Sequence, residues 1–366
     1  MENSRWAYFF APAILAMVIS YFVSWLVVKK AKILGIVDDP KSHIHVKNTH
    51  QTAVPRGGGL PILAAIFAGS FFLPQNTRTY SILVGSLLLG IVGLLDDKFE
   101  EKISPYLRLI VNIFSALCVI GAGIGIAYIT NPTGGIIRLD SPQLCFQVFQ
   151  SQHCIWILSD IFALLWLVWM QNIVGWSSGV DGQLPGFVIV AAVTMAFLGM
   201  RFSGDVSQIT VITLAALIAG AYAGFLPWNW YPQRMMPGYG GKSLAGFLLG
   251  LLAIYSGAKV GAMFLVLSVP IIDAVMVISK RLKEGRSPVW GGREHLHHFL
   301  LDRGWSRKRI AKLYLFMSVF FAIIALQLNA NLKYFTMATA ILVISGVILW
   351  LQNWSTSSKQ QGPDSG

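Results

Sequence analysis

Residues 7–28, AYFFAPAILAMVISYFVSWLVV, hold no charged side chain and stop at Lys29-Lys30. A helix needs about 20 mostly apolar residues to cross about 30 Å of hydrocarbon while bonding its own backbone, and this run is long enough. It exceeds a signal-peptide core and shows no small-residue cleavage site before the lysines, so it reads as a retained first helix. Ten further apolar runs follow, near 57–74, 80–95, 107–130, 155–174, 184–200, 208–227, 243–256, 260–280, 310–328 and 333–352. The fold expected is an all-α polytopic membrane protein of about 11 transmembrane helices. It forms one domain over 1–354, followed by a disordered cytoplasmic tail over 355–366. Composition agrees, because 55% hydrophobic and only 12% charged residues leave too little polar surface to coat a soluble core.

Sorting the loops alternately by side places Arg5, Arg78, Arg138, Arg201, Lys259 and Lys333 together, with the rest of the 28 basic residues on or beside the other face. The positive-inside rule then puts the N-terminus outside and the C-terminus in the cytoplasm, across the cell's inner membrane. The net charge of +12 lies in short loops beside apolar helices, where anionic lipid and anionic substrates are the partners expected and nucleic acid is not. Cys118 falls inside the fourth span and reads as a buried thiol. Cys145 and Cys154 lie in the longest outside loop, where an oxidising compartment permits a disulfide closing a small hairpin within 131–154; unpaired thiols are the alternative.

The polar motifs gather on the inside. The first inside loop has Asp38-Asp39, then His50 and Val54-Pro55-Arg56-Gly57-Gly58-Gly59 at a helix entry, where open amides and Arg56 suit a phosphate; a flexible turn with a snorkelling Arg is the plainer reading. Asp96-Asp97 ends the third span, and adjacent acids are tolerated when solvated or holding a cation such as Mg²⁺. Arg108 and Asn112 stand one helical turn apart at the start of the fourth span, Arg108 suiting a lipid phosphate or marking the interface. The fifth span ends in Asn172 to Gly182, a glycine-broken stretch holding Ser178 and Asp181. Irregular backbone at membrane depth is tolerated where it lines a wet cavity, so Asp181 reads as an ion ligand or base, or as a helix cap. Asn229 opens a loop running to Gly238-Tyr239-Gly240-Gly241-Lys242-Ser243, an anion cradle without P-loop spacing. The last long loop carries Ser287-Pro288, Arg293 and His295-Leu296-His297-His298, whose basic surroundings suit a diphosphate better than zinc. A transporter also builds sites from broken helices, but these motifs cluster at one face with none at the midplane, which argues against transport.

Taken together, His50…Val54-Pro55-Arg56-x-Gly58-Gly59, Asp96-Asp97, Pro270-x-x-Asp273 and Gly285-x-Ser287-Pro288…Arg293-x-His295-Leu296-His297-His298 resemble the polyprenyl-phosphate N-acetylhexosamine-1-phosphate transferases, glycosyltransferase family 4. The resemblance runs from about Asp38 to Gly304. The His-Leu-His-His form is similar to the branch that starts O-antigen, enterobacterial common antigen and teichoic acid linkage units. That resemblance implies transfer of N-acetylglucosamine 1-phosphate from a UDP-sugar to undecaprenyl phosphate at the cytoplasmic face, with eleven helices and Mg²⁺ as cofactor. Partners implied are undecaprenyl phosphate, a UDP-sugar, membrane lipid and a second copy of the chain. Asp96, Asp97 and Asp181 would be catalytic, with Asp96 and Asp97 positioning Mg²⁺. Asn172, Asn229, Lys242, Arg293, His295, His297 and His298 would hold the nucleotide sugar and its diphosphate. His50, Arg56 and Arg108 would hold the lipid phosphate.

The chain departs from the family pattern at three places. Gly175 and Ser178 stand where the family has an Asn and an Asp, and Tyr239 stands at a metal-ligand Asp. A neutral phenol is a poor Mg²⁺ ligand, so affinity for the ion is expected to fall, with Lys242 supplying fixed positive charge instead. The alternative function is a catalytically impaired relative that binds lipid phosphate or nucleotide sugar as a scaffold or regulator.

Overall fold

The computed structural model describes residues 2–39, 53–99, 103–131, 135–148, 151–201, 207–257, 259–287 and 292–360, so His50 lies outside the described residues. Each expected span falls on helix. The helices are α1 (Glu2–Leu34), α2 (Gly59–Gly69, extended by a 3₁₀ turn Ser70–Phe72), α3 (Thr77–Lys98), α4 (Pro105–Ile120), α5 (Ile157–Trp176) and α6 (Gln183–Arg201). They continue with α7 (Ser207–Asn229), α8 (Gly238–Tyr255), α9 (Val260–Val266), α10 (Ser268–Lys283), α11 (Leu296–Asp302), α12 (Arg307–Gln327) and α13 (Ala330–Gln360). The chain is a multi-pass membrane protein.

Several starts are visible as caps. Asn76 Oδ1 accepts from the Thr79 amide at 3.0 Å, and Ser104 Oγ accepts from the Leu107 amide at 3.2 Å ahead of Pro105 in the first turn. Among the described residues, seven helices are long and apolar enough to cross a membrane, eight when α9 and α10 count as one bent span, against the eleven expected. The helices 59–72 and 105–120 are apolar but shorter. The fourth span, expected to reach 130, ends at Ile120 because Gly121 and Gly123, the latter at φ +76°, release the chain into strand β3 (Tyr128–Thr130).

The ninth span breaks between Val266 and Ser268, where α9 and α10 meet at 85°. Pro270 explains the position, since a proline ring clashes with the carbonyl four residues earlier, that of Val266. At the other end, α13 continues through 355–360, expected to be disordered, because no Gly or Pro interrupts it before Gly362-Pro363. The remainder of the expected tail lies outside the described residues.

Among the described residues, three small antiparallel strand pairs accompany the helices. Strands β1 (Val37–Asp38) and β2 (Val54–Pro55) pair beside α1, and β3 pairs with β4 (Ile136–Arg138). Strands β5 (Gln143–Val148) and β6 (Ser151–Trp156) pair with Cys145 opposite Cys154, and these two cysteines are joined by a disulfide. The open alternatives for this loop are thereby decided in favour of the bonded hairpin.

Packing relies on small residues, as it must where lipid removes the hydrophobic drive between helices. Gly220 and Gly224 on α7 lie so close to α1 that a Cβ on either would sit 2.1 Å from a backbone oxygen, of Ala13 and Met17 respectively. Near the middle of the bundle, α8 is enclosed. From Gly238 to Ile254 every residue is buried except Tyr239 and Lys242, which are half-buried. Large apolar side chains such as Phe114, Leu165, Phe316 and Leu342 face outward on the peripheral helices.

Candidate active site

The first turn of α8 is brought against the ends of α2 and α3 by glycine. A Cβ on Gly59 would lie 2.9 Å from Gly240 C, and one on Gly93 would lie 2.3 Å from Gly240 Cα. Backbone bonds fix the same junction, with the Met236 amide donating to Pro55 O at 2.8 Å and the Gly58 amide to Met236 O at 3.1 Å. The inner end of α3 thus meets the start of α8 with Asp96 and Asp97 both buried between them.

Asp97 Oδ1 accepts from the Tyr239 amide at 3.0 Å, and Gly238, at φ +62°, leaves room for the carboxylate. Asp96 Oδ1 accepts from Arg108 Nε at 2.5 Å. The Arg108 guanidinium also sits 5.5 Å from the centre of the Tyr239 ring. The Tyr239 hydroxyl turns to α4, lying 2.7 Å from Asn112 Oδ1 and 3.0 Å from Arg108 O. Tyr239 is therefore a strut between α8 and α4, with its phenol committed away from the carboxylate pair. Arg56 pairs with Asp38 at 2.5 Å, and its charge also acts on Asp97, together with that of Lys242.

The broken end of α5 connects this corner to the rest. Gly175 faces Lys242, whose Cβ is 3.5 Å from where a Gly175 Cβ would stand. One turn on, Gly179 lies under the His297 ring, so close that a Cβ would be 1.8 Å from Nε2. Gly182 donates its amide to Asn229 Oδ1 at 3.0 Å and lies against the Trp230 ring. Asn229 Nδ2 in turn donates to Met235 O at 2.9 Å, tying down the loop that leads into α8. Asp181, on the same stretch, faces the Gln233 amide at 3.4 Å and Arg307 at 3.6 Å.

The histidine cluster rests on α10. Asp273, fully buried, accepts from the Leu296 amide at 2.8 Å through Oδ1, and its Oδ2 lies 2.9 Å from His295 Nδ1. That carboxylate orients the His295 ring and caps the start of α11 in one stroke. The rings of His295 and His297 stack with centroids 5.7 Å apart, and those of His297 and His298 lie 4.1 Å apart.

Glu294, beside them, is held by Arg281 Nε at 2.8 Å and Arg286 at 2.5 Å. Desolvation pushes its pKa up, but these guanidinium bonds and charges outweigh it and hold the carboxyl below its ordinary range.

Burial first, then the neighbouring His298, His295, Lys242 and Arg293, push the His297 imidazole well below its ordinary range, so it is neutral in the folded chain at neutral pH. As pH falls through about 6.5, an unfolded His297 takes up a proton that the folded one refuses, so stability is kept above that pH and lost below it. Between pH 6.5 and 5.5 this costs about 1 kcal/mol. The thermal midpoint of the wild type is expected to fall over that interval by more than that of His297→Gln, read by circular dichroism in detergent; equal falls would remove His297 from the account.

Two expected site residues stand apart in their contacts. Asn172 donates back to Val168 O in its own helix at 2.7 Å, and Arg293 pairs with Asp302 at 2.6 Å, although its charge still reaches His297. Ser178 Oγ likewise bonds its own turn, to Gly175 O at 2.6 Å. From sequence, three residues have no assigned role in the site: Asp273, matched only within Pro270-x-x-Asp273 and here the His295 anchor; Asn112, noted only beside Arg108 and here the Tyr239 partner; and Arg307 beside Asp181. Asp273 had a signal, an acid inside an apolar span. Arg307 had none, because nothing in its surroundings distinguishes it from Arg303 or Arg309.

A divalent ion fits this donor set poorly. Among the described residues no three acids, histidines or cysteines form a group that could hold a metal ion, so an ion here would rest on Asp96 and Asp97 plus phosphate oxygens. The two adjacent carboxylates are already met by Arg108, the Tyr239 amide, and the charges of Arg56 and Lys242. What the arrangement offers is fixed positive charge around carboxylates, with neutral imidazole beside it, a setting for phosphate groups.

Comparison with known proteins agrees with that chemistry. The chain is 23% identical over 354 residues to a probable undecaprenyl-phosphate N-acetylglucosaminyl 1-phosphate transferase of Bacillus subtilis, covering 92% of this chain and 91% of the relative. It is 26% identical to the decaprenyl-phosphate N-acetylglucosaminephosphotransferase of Mycobacterium tuberculosis, covering 91% of this chain and 85% of the other. It is also 26% identical to the phospho-N-acetylmuramoyl-pentapeptide-transferase of Borreliella burgdorferi, with 86% and 93% covered. Residues 79–257, which hold the carboxylate pair, the α5 stretch, Asn229 and Lys242, match the sequence pattern of glycosyl transferase family 4.

Proposed function

We propose that the protein transfers an N-acetylhexosamine 1-phosphate, N-acetylglucosamine 1-phosphate in our reading, from a UDP-sugar to undecaprenyl phosphate at the cytoplasmic face of the inner membrane. The product starts a cell-envelope polysaccharide. The reading rests on one observation above all: the stretch Gly175–Gly182 touches Lys242, His297 and Asn229 in turn, next to the buried Asp96-Asp97 pair. The names of the relatives support the reaction class, and the basic loops on the same side as the site support the orientation.

In this reaction an oxygen of the lipid phosphate attacks the phosphorus next to the sugar. The bond from that phosphorus to the bridging oxygen breaks, and UMP leaves. Both reactants are anions, so the barrier is largely electrostatic, and preorganised cations lower it without reorganising at the moment of transfer. Arg56 and Arg108, at the α2 and α4 ends, suit the acceptor phosphate. Lys242 and the His295–His298 cluster suit the donor. Asp97 orients the acceptor or takes its proton, and Asp181 with Asn229 shapes the loop that borders both.

The test is transfer of radiolabelled sugar phosphate from UDP-N-acetylglucosamine to undecaprenyl phosphate by purified full-length protein in detergent. Lipid-linked product is expected with wild type and none with heat-treated protein. Binding of UDP without any product, across several UDP-sugars, would overturn the enzymatic reading in favour of a scaffold. Tyr239→Asp is expected to lose activity, because removing the phenol releases α4 from α8.

A further inference from the structure

We infer that Lys242, with Ser177 and His297, forms a fixed-cation site for the diphosphate of the nucleotide donor that works with little help from a divalent ion. This rests on the transferase reading for the identity of the donor, but the site itself is argued from geometry. On α8, Tyr239 and Lys242 alone between Gly238 and Ile254 escape full burial, and they stand three residues apart on one face of the helix. Lys242 leaves the helix beside Gly175, its Cβ 3.5 Å from where a Gly175 Cβ would stand. Its charge acts both on Asp97 and on His297, and so bears on the carboxylate pair and on the histidine cluster.

Two buried polar atoms, one just past α5 and one in the histidine cluster, have no hydrogen-bond partner among the described residues: Ser177 Oγ and His297 Nδ1, whose residues are 0% and 1% exposed. Buried polar groups are nearly always satisfied, and those that are not call for a ligand or water. A diphosphate supplies acceptor oxygens for a hydroxyl, for a ring N–H and for an ammonium at once.

The neighbouring donor set points the same way. A divalent ion entering here would face Lys242, Arg56 and Arg108 and would find Asp96 and Asp97 already engaged by cation and amide. Mg²⁺ holds its waters reluctantly released and favours carboxylate and phosphate oxygens, so a lysine in the middle of the site competes with it for the same phosphate charge.

The experiment is calorimetric titration of full-length protein in detergent with UDP, uridine and inorganic pyrophosphate, each in EDTA and in excess Mg²⁺. Wild type is expected to bind UDP with affinities within about 3-fold in the two conditions. Lys242→Ala is expected to bind UDP at least about 10-fold more weakly in EDTA, to recover part of that loss in Mg²⁺, and to bind uridine as wild type does. Lys242→Arg keeps a cation at this position and is expected to stay within about 3-fold of wild type, which separates a charge effect from misfolding. A wild-type affinity that collapses in EDTA while Lys242→Ala changes nothing overturns the inference. Pyrophosphate binding that depends on Lys242, without UDP binding, would keep the anion site and sink the nucleotide-sugar reading; binding of neither would sink both.

Discussion

Asp97→Asn is expected to lower sugar phosphate transfer by about 10²- to 10⁴-fold, the range typical of removing a positioned proton-transfer group, while leaving the protein folded. The amide oxygen of Asn can still accept from the Tyr239 amide, so the bond between α3 and α8 survives the substitution. What disappears is the negative charge, and with it the capacity to take a proton or to balance Arg56 and Lys242. The contrast with Asp96→Asn sharpens the test. Asp96 is the partner of Arg108, so its neutralisation weakens a buried ion pair and is expected to cost stability as well as rate. Transfer assays alongside thermal midpoints distinguish the two: Asp97→Asn loses rate with the midpoint held, Asp96→Asn loses both. An Asp97→Asn protein within about 3-fold of wild type would remove this carboxylate from the reaction.

The second large effect is expected at a residue with no side chain. Gly238 has φ +62°, and a Cβ there would stand 2.1 Å from Asp97 Oδ2, a distance at which the carboxylate must move. A displacement of about 1 Å in a catalytic group costs about 100-fold in rate, so Gly238→Ala is expected to be nearly as damaging as loss of the charge itself. Part of the effect is backbone strain, about 1–2 kcal/mol for a left-handed alanine. Gly285→Ala separates the two contributions, because Gly285 has φ +66° with nothing within 4 Å of its Cβ position. Both variants are expected to lose similar stability, and only Gly238→Ala the activity. If Gly285→Ala were equally inactive, strain rather than contact would be responsible.

The bundle was legible because membrane burial imposes a coarse rule that the chain obeys almost everywhere: apolar runs of the right length between charged loops. The rule gave no warning where one residue overrides it. Pro270 breaks the ninth run at Val266, and Gly121 with Gly123 ends the fourth run early, since hydropathy averages over backbone chemistry.

The site was legible as a set of motifs. Their convergence was not, because it depends on glycines at 59, 93, 175, 179 and 240 whose meaning appears only when helices meet. Tyr239 reads in sequence as a lost ligand and in the structure as the strut holding α4 to α8. A side chain's departure from an expected pattern says what is missing, but only its partners show what it does instead. The disulfide was undecided from sequence, and the register of β5 against β6 placed its two sulfurs together.

The helix that carries Lys242 and the Asp97 contact is walled in on all sides by protein. Changes in bilayer thickness or tension load the outer helices first, where α1, α4 and α13 present their apolar faces, and reach the enclosed one through direct contacts such as the Tyr239 bond to α4. The enclosed helix thereby feels the bilayer only through the protein contacts it makes, never through lipid of its own.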